Sequence, residues 1–189
     1  MSGVLSVFTA FGLSSAAGLN AYVPLLVVAL LARFTDLITL NPPWNALESP
    51  WTIGVLVVLL LIEIVADKVP AVDTANDVIH TFIRPTAGAI LFAASIGTAG
   101  KVDSVLAMIC GLLLAGGVHA AKATARPVIT ATTAGTMNPV VSTIEDVVSL
   151  LVSLVAIVAP IVGVVLVVLI AIWFVRFWRR RRRMARQWE

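Results

Sequence analysis

Charge is scarce in this chain. Only 12% of the 189 residues are Asp, Glu, Lys or Arg, against roughly 25% in soluble domains. Hydrophobic residues make up 60%, and the mean hydropathy is +1.04. This excludes a soluble globule and predicts an all-α polytopic integral membrane protein. Cysteine is nearly absent: Cys110 stands alone in an apolar run, so no internal disulfide can form and a packed thiol is expected. The chain also lacks a Gly-rich phosphate loop, a Cys-x-x-Cys pair, a His-Glu-x-x-His helix and an ordered Ser, His and Asp set. An enzyme therefore has little support, and no cofactor is expected. The N-terminus carries no basic stretch and no Ala-x-Ala site, so it reads as the first membrane element rather than a removable signal.

The charge that is present is unevenly placed. Seven of the 13 basic residues fall in the last 14 positions: Arg176, Arg179 to Arg183 and Arg186. The body before Arg176 carries −3 and the tail +6. A basic cluster directly after an apolar span reads as a cytoplasmic anchor that also meets anionic lipid headgroups. Nucleic acid is not an expected partner. The expected organisation is one transmembrane domain over 1–177 and a basic cytoplasmic tail over 178–189. About five or six spans fit, at about 20 residues each.

Val4 to Phe34 is an apolar run of 31 residues, long for one span, and Ser14 to Pro24 interrupts it with small and polar residues. Proline restricts the residue before it and removes a hydrogen bond. A kinked helix or two half-elements meeting near Gly18 to Asn20 is expected, or else a simple turn between two helices at the membrane surface. Thr35 to Pro50 reads as a loop, with Trp44 and Trp51 at headgroup level. Trp51 to Ala66 is the next span, with Glu63 near its end. Pro85 to Ile96 and Val105 to Ala121 are rich in small residues that suit close helix packing. Val147 to Phe177 is again 31 residues, with Pro160 and Gly163 near its middle, and fits one kinked span or two shorter elements.

Two polar stripes stand out between the apolar runs. The first lies in Asp67 to Pro85, where six of the 25 ionisable side chains fall within 19 residues. As a helix after Pro70, this segment sets Asp73, Asp77, His80 and Arg84 on one face. The second sets His119, Lys122, Arg126, Thr130 and Thr133 on another. Both include an Arg-Pro pair: Arg84-Pro85 and Arg126-Pro127. Ionised groups cost several kcal/mol in hydrocarbon, so the two stripes are expected to pack together and share a pocket; the competing reading of the first is an amphipathic surface helix with its polar side in water. An Arg-Pro pair opening a span would also aim a guanidinium at a helix N-terminus, which favours an anion. Asp73, Asp77 and His80 match the ligand types of a divalent metal site, with Glu63, Asp67, Glu145 and Asp146 as partners from other helices. Salt bridges on the helix face, such as Asp77 with Arg84 or His80, compete with that reading. The blocks Ala17-Gly18-Leu19-Asn20 and Ala134-Gly135-Thr136-Met137-Asn138 look alike, each with a proline following. Such weak symmetry points to a transporter-like fold with paired interrupted helices.

Three stretches together carry a resemblance: Ala17-Gly18-Leu19-Asn20-Ala21-Tyr22-Val23-Pro24, Ala66-Asp67-Lys68-Val69-Pro70 and Arg84-Pro85-Thr86-Ala87-Gly88-Ala89. They resemble a bacterial membrane-protein family defined as a domain of unknown function, number 4126, over nearly the whole chain. The resemblance implies a small integral membrane protein of the bacterial inner membrane, and no activity. It also marks these stretches as the family's working positions.

The expected function is a carrier or flippase for a small anion or an anionic lipid headgroup. Arg84, Arg126, Lys68, Lys122, Asn20 and His119 would bind the substrate. Asp67, Asp73, Asp77 and His80 would couple it to protons or a cation. A non-catalytic scaffold or accessory subunit, packing through small-residue faces in a homo-oligomer or larger membrane complex, is the first alternative. A metal-dependent enzyme acting on a lipid phosphate is the second.

Overall fold

A computed structural model describes residues 3–67, 70–96 and 102–162, together with 165, 168–170, 172, 173 and 176. The side chains of 70–77 lie outside the description. The described residues form no strand and six continuous α-helices: α1 (Gly3–Leu19), α2 (Tyr22–Phe34), α3 (Pro50–Ala66), α4 (Pro70–Ile96), α5 (Ser104–Thr133) and α6 (Asn138–Val158), with a short 3-10 helix at Trp44–Glu48 and further helical residues from Pro160 onward. This is an all-α membrane protein. Val78–Ile96, Ser104–Thr133 and Asn138–Val158 are long and apolar enough to cross a bilayer, and α1, α2 and α3 are shorter apolar helices.

On α5 and α6, polar side chains turn inward and apolar ones outward. On α6, Asn138, Ser142, Ser149 and Ser153 are buried, while Val140, Ile144, Val147, Leu150, Leu151 and Leu154 face outward. On α5, the buried face is Ala107, Gly111, Ala115, His119, Lys122 and Arg126, at intervals of three and four. This arrangement suits lipid, where outward apolar side chains meet hydrocarbon and polar ones are satisfied inside.

The long run at the N-terminus divides into two helices at Asn20, as the interruption predicts. Asn20 is fully buried, and its Oδ1 accepts the N–H groups of Tyr22 at 2.9 Å and Val23 at 3.0 Å. Those are N–H groups of the first turn of α2, which have no partner within the helix. Pro24 lacks an N–H, so it adds none to that set. The last apolar run also divides. The first part ends at Val158, Ala159 leaves helical geometry, and helix resumes at Pro160.

At Pro85 the structure corrects the expectation. Helix α4 runs through Pro85 without ending, and α5 runs through Pro127. Neither arginine therefore sits at a helix start, and neither points at a helix N-terminus. Neighbouring helices and hydroxyls let membrane helices tolerate such prolines; here the Thr86 hydroxyl donates to Phe82 O at 2.8 Å, beside the ring.

Helix α1 is the centre of the bundle, packed on α4, α5 and α6, while the most extensive contact is between α4 and α5. The Ser14 hydroxyl donates to Gly88 O, and Phe11 stacks edge-on against Phe92, so α4 runs opposite to α1. Thr9 bonds to Ala156 O and Ser149 to Ala16 O, so α6 also runs opposite to α1. Small residues set these approaches. A Cβ on Gly88 would fall 2.7 Å from Gly111 O and collide with Ala115. One on Gly12 would reach 2.5 Å from the Ala156 Cβ. The small residues Gly88, Gly111 and Ala115 are thus used within the bundle rather than presented to a partner.

The bundle consequently has two distinct ends. One carries Gly3, Phe34, Pro50, Ile96, Ser104 and Val158. The other carries the α1–α2 break, the end of α3 and the α5–α6 turn. That turn uses Ala134 and Gly135, both at positive φ (50° and 80°). The 17 residues of α1 rise about 25 Å. This sets the break near one boundary of a hydrocarbon core about 30 Å thick.

Candidate functional site

Beside the break, the buried polar faces of five helices meet. Glu63 from α3 and Arg84 from α4 pair at 3.1 Å, Arg84 1% exposed and Glu63 2%. His80, one turn before Arg84 and equally buried, lies 3.5 Å from the same Glu63 oxygen, and its ring stands edge-on to Tyr22. Arg84 Nη1 also meets His119 Nδ1 of α5 at 3.0 Å. A guanidinium only donates, so His119 accepts there and carries its proton on Nε2. That N–H donates to the Thr81 hydroxyl at 3.2 Å.

A second group adjoins the first. Lys122 Nζ lies 2.7 Å from Glu145 Oε2 of α6, and Arg126 reaches the same oxygen at 3.9 Å. Lys122 also points at Leu19 O, the exposed carbonyl end of α1, at 3.4 Å. Cations near a helix C-terminus complement its dipole. The Asn20 amide donates to Asp146 Oδ1 at 2.8 Å. The Ser142 hydroxyl donates to Asp67 Oδ2 at the end of α3. Asp146 lies within electrostatic range of Asp67, Lys122 and Arg84, so these groups form one cluster.

Three cations (Arg84, Lys122, Arg126) thus face four carboxylates (Glu63, Asp67, Glu145, Asp146), with two imidazoles between them. Burying an isolated charge is prohibitive, and the cluster answers that by mutual pairing. One oxygen is left over: Glu63 Oε2 is buried and accepts no hydrogen bond among the described residues. That atom keeps its capacity to accept a proton or a hydrogen bond.

The stripes do pack together, through Arg84, Thr81 and His119. Of the expected binding residues, Arg84, Arg126, Lys122, His119 and Asn20 all join the cluster, though Asn20 uses its amide on α2 and Asp146. Of the expected coupling residues, Asp67 and His80 join it. Lys68 and the side chains of Asp73 and Asp77 lie outside the described residues, and so does the proposed pairing of Asp77. The metal candidates Asp73, Asp77 and His80 fall there in part. Among the described residues, no three His, Cys, Asp or Glu side chains are placed to hold a metal ion.

Glu63, Glu145 and Asp146 enter as counter-ions rather than as metal ligands. Glu63 is the least legible of the three, because it is the one charge in an apolar helix and its partner is 21 residues away. Its signal is the cost of a lone carboxylate in such a helix, which demands a cation nearby. Ser142, Thr81 and Tyr22 carry no such signal.

The repeated blocks both sit at helix–helix turns at this end of the bundle, yet they act differently. Asn20 caps α2, whereas the Asn138 side chain exchanges hydrogen bonds with the Thr130 hydroxyl. No curated protein and no solved structure matches the chain. Residues 7–180 match the family described as a domain of unknown function (DUF4126), and the chain belongs to that family.

Proposed function

We propose that this protein is a proton-coupled carrier for an anion bearing a phosphate- or carboxylate-like group, free in solution or on a lipid headgroup. The observation that carries the reading is the buried Glu63–Arg84 pair with one Glu63 oxygen unengaged. An incoming anion and Glu63 compete for the same guanidinium. If the anion takes Arg84, Glu63 is left buried without its cation, and a carboxylate in that position neutralises itself by taking up a proton. Anion and proton then arrive together and leave together. Lys122 and Arg126, sharing Glu145, supply further positive charge on the same side.

Helix α3 fits the moving part. Within it only Leu56 and Glu63 are buried, and apolar contact between helices gives little drive in lipid. Its end is attached by Glu63 on Arg84 and Asp67 on Ser142. A protonated Glu63 with an anion on Arg84 releases the first of these attachments. In this reading the protein lies in the bacterial inner membrane, and the arginine tail is cytoplasmic and rests on anionic headgroups.

Purified protein in sealed vesicles under a pH gradient tests this in two arms: uptake of radiolabelled inorganic phosphate, and flipping of a fluorescent short-chain phosphatidylglycerol. Gradient-driven movement is expected in one arm for the wild type. It should vanish in Arg84→Ala, weaken in Arg126→Ala, and continue without following the gradient in Glu63→Gln. Equal rates in all four proteins, or no movement in either arm, removes the reading.

A further inference from the structure

A cavity of about 160 Å³ lies at the opposite end of the bundle, away from the charge cluster, lined in part by Ser6, Thr9, Leu13, Asp36, Ser95 and Ile157. We infer that it is a water-filled vestibule that admits small cations and rejects anions, and that the α1–α6 contact joins it to Asp146. Calling that cation the coupling ion rests on the carrier reading; the vestibule itself does not.

Four observations carry the inference. At roughly 30 Å³ per water in the liquid, the volume holds several waters. Ser6 is 2% exposed, and its hydroxyl has no hydrogen-bond partner among the described residues. A hydroxyl that lines a cavity without a protein partner is open to water. Among the described lining residues Asp36 is the one ionisable group. The described lining therefore carries one negative charge and no cation. Finally, polar groups continue from the cavity towards the cluster. Thr9 bonds to Ala156 O, Ser153 to Ser149 O, and Ser149 to Ala16 O, and one turn further Asp146 meets Asn20. Residues 146, 149, 153 and 157 follow one face of α6 and span about 16 Å. Ser149 and Ser153 are both fully buried.

Thiol accessibility in the full-length protein in vesicles tests this, with Cys110 replaced by serine. Ser6→Cys, with Thr9→Cys as a second reporter, is exposed to a cationic and to an anionic methanethiosulfonate of similar size. Ser149→Cys is exposed to silver ion. The cationic reagent should react at Ser6→Cys on the order of tenfold faster, since a charged cleft concentrates ions of opposite sign by about that factor or more. Adding Asp36→Asn should abolish the preference. Silver should reach Ser149→Cys while both bulky reagents fail. Equal rates for the two reagents, or no reaction at either reporter, overturns the vestibule. A silver-inert Ser149→Cys overturns the connection to Asp146. If these reactions occur as expected but no anion moves in vesicles, the vestibule stands and the carrier reading falls.

Discussion

The two ends of this bundle hold polar groups in opposite ways. At the α1–α2 break, charge is dense and mostly answered by charge: Glu63 by Arg84 and Glu145 by Lys122, while Asp146 accepts from the neutral Asn20 amide. At the Gly3 end, hydroxyls line a cavity with one described carboxylate, and Ser6 has no hydrogen-bond partner among the described residues. Both ends use α1, α4 and α6, so helix packing alone does not make the difference. It comes from what each end must stabilise. Charges near the edge of the hydrocarbon need partners of opposite sign, whereas hydroxyls are satisfied by a backbone carbonyl or by water.

Four substitutions break or sharpen that contrast. Arg84→Ala should have the largest effect. It strands Glu63 and takes a partner from His119, and removing one member of a buried pair costs roughly 3–5 kcal/mol. Denaturant titration in detergent measures it. The double variant Arg84→Met, Glu63→Leu should regain most of that loss, because an apolar pair of similar volume is often neutral. If the double variant is as unstable as the single one, pairing is not what holds this end.

Asn20→Ala should follow. It removes the cap on α2, about 1 kcal/mol, and leaves Asp146 without its amide, about 1–3 kcal/mol. A loss under about 0.5 kcal/mol would mean that the break is held by packing instead. Ser149→Ala tests the path between the ends. A single interhelical hydrogen bond in a membrane protein averages about 0.6 kcal/mol, so stability should barely change.

Ser6→Ala should be the mildest, within about 0.5 kcal/mol of wild type, since a hydrated hydroxyl loses little on removal. A gain above about 1 kcal/mol would show instead that the hydroxyl sits dry and unpaired, and the contrast between the ends would then be one of packing.

Much of the fold can be read along the chain. The break at Asn20 follows from Ser14 to Pro24, and the shared face of His119, Lys122 and Arg126 follows from spacing. Arg84-Pro85 shows where such reading stops. Proline marks a probable boundary, yet α4 continues because its neighbours stabilise the turn that proline weakens. Asn20 shows a second limit. Its local bonds to Tyr22 and Val23 are foreseeable capping, but its partner Asp146 is 126 residues away.

Taken alone, the amino-acid order determined that this protein is helical, belongs in lipid and carries a few costly ionisable groups. Those are properties of local composition and period, which each segment has wherever it is placed. The tertiary structure alone decided which carboxylate answers which cation and which hydroxyls face a cavity. A charge pair forms only where two side chains from distant helices meet within a few ångströms, and that distance is set by packing rather than by position in the chain.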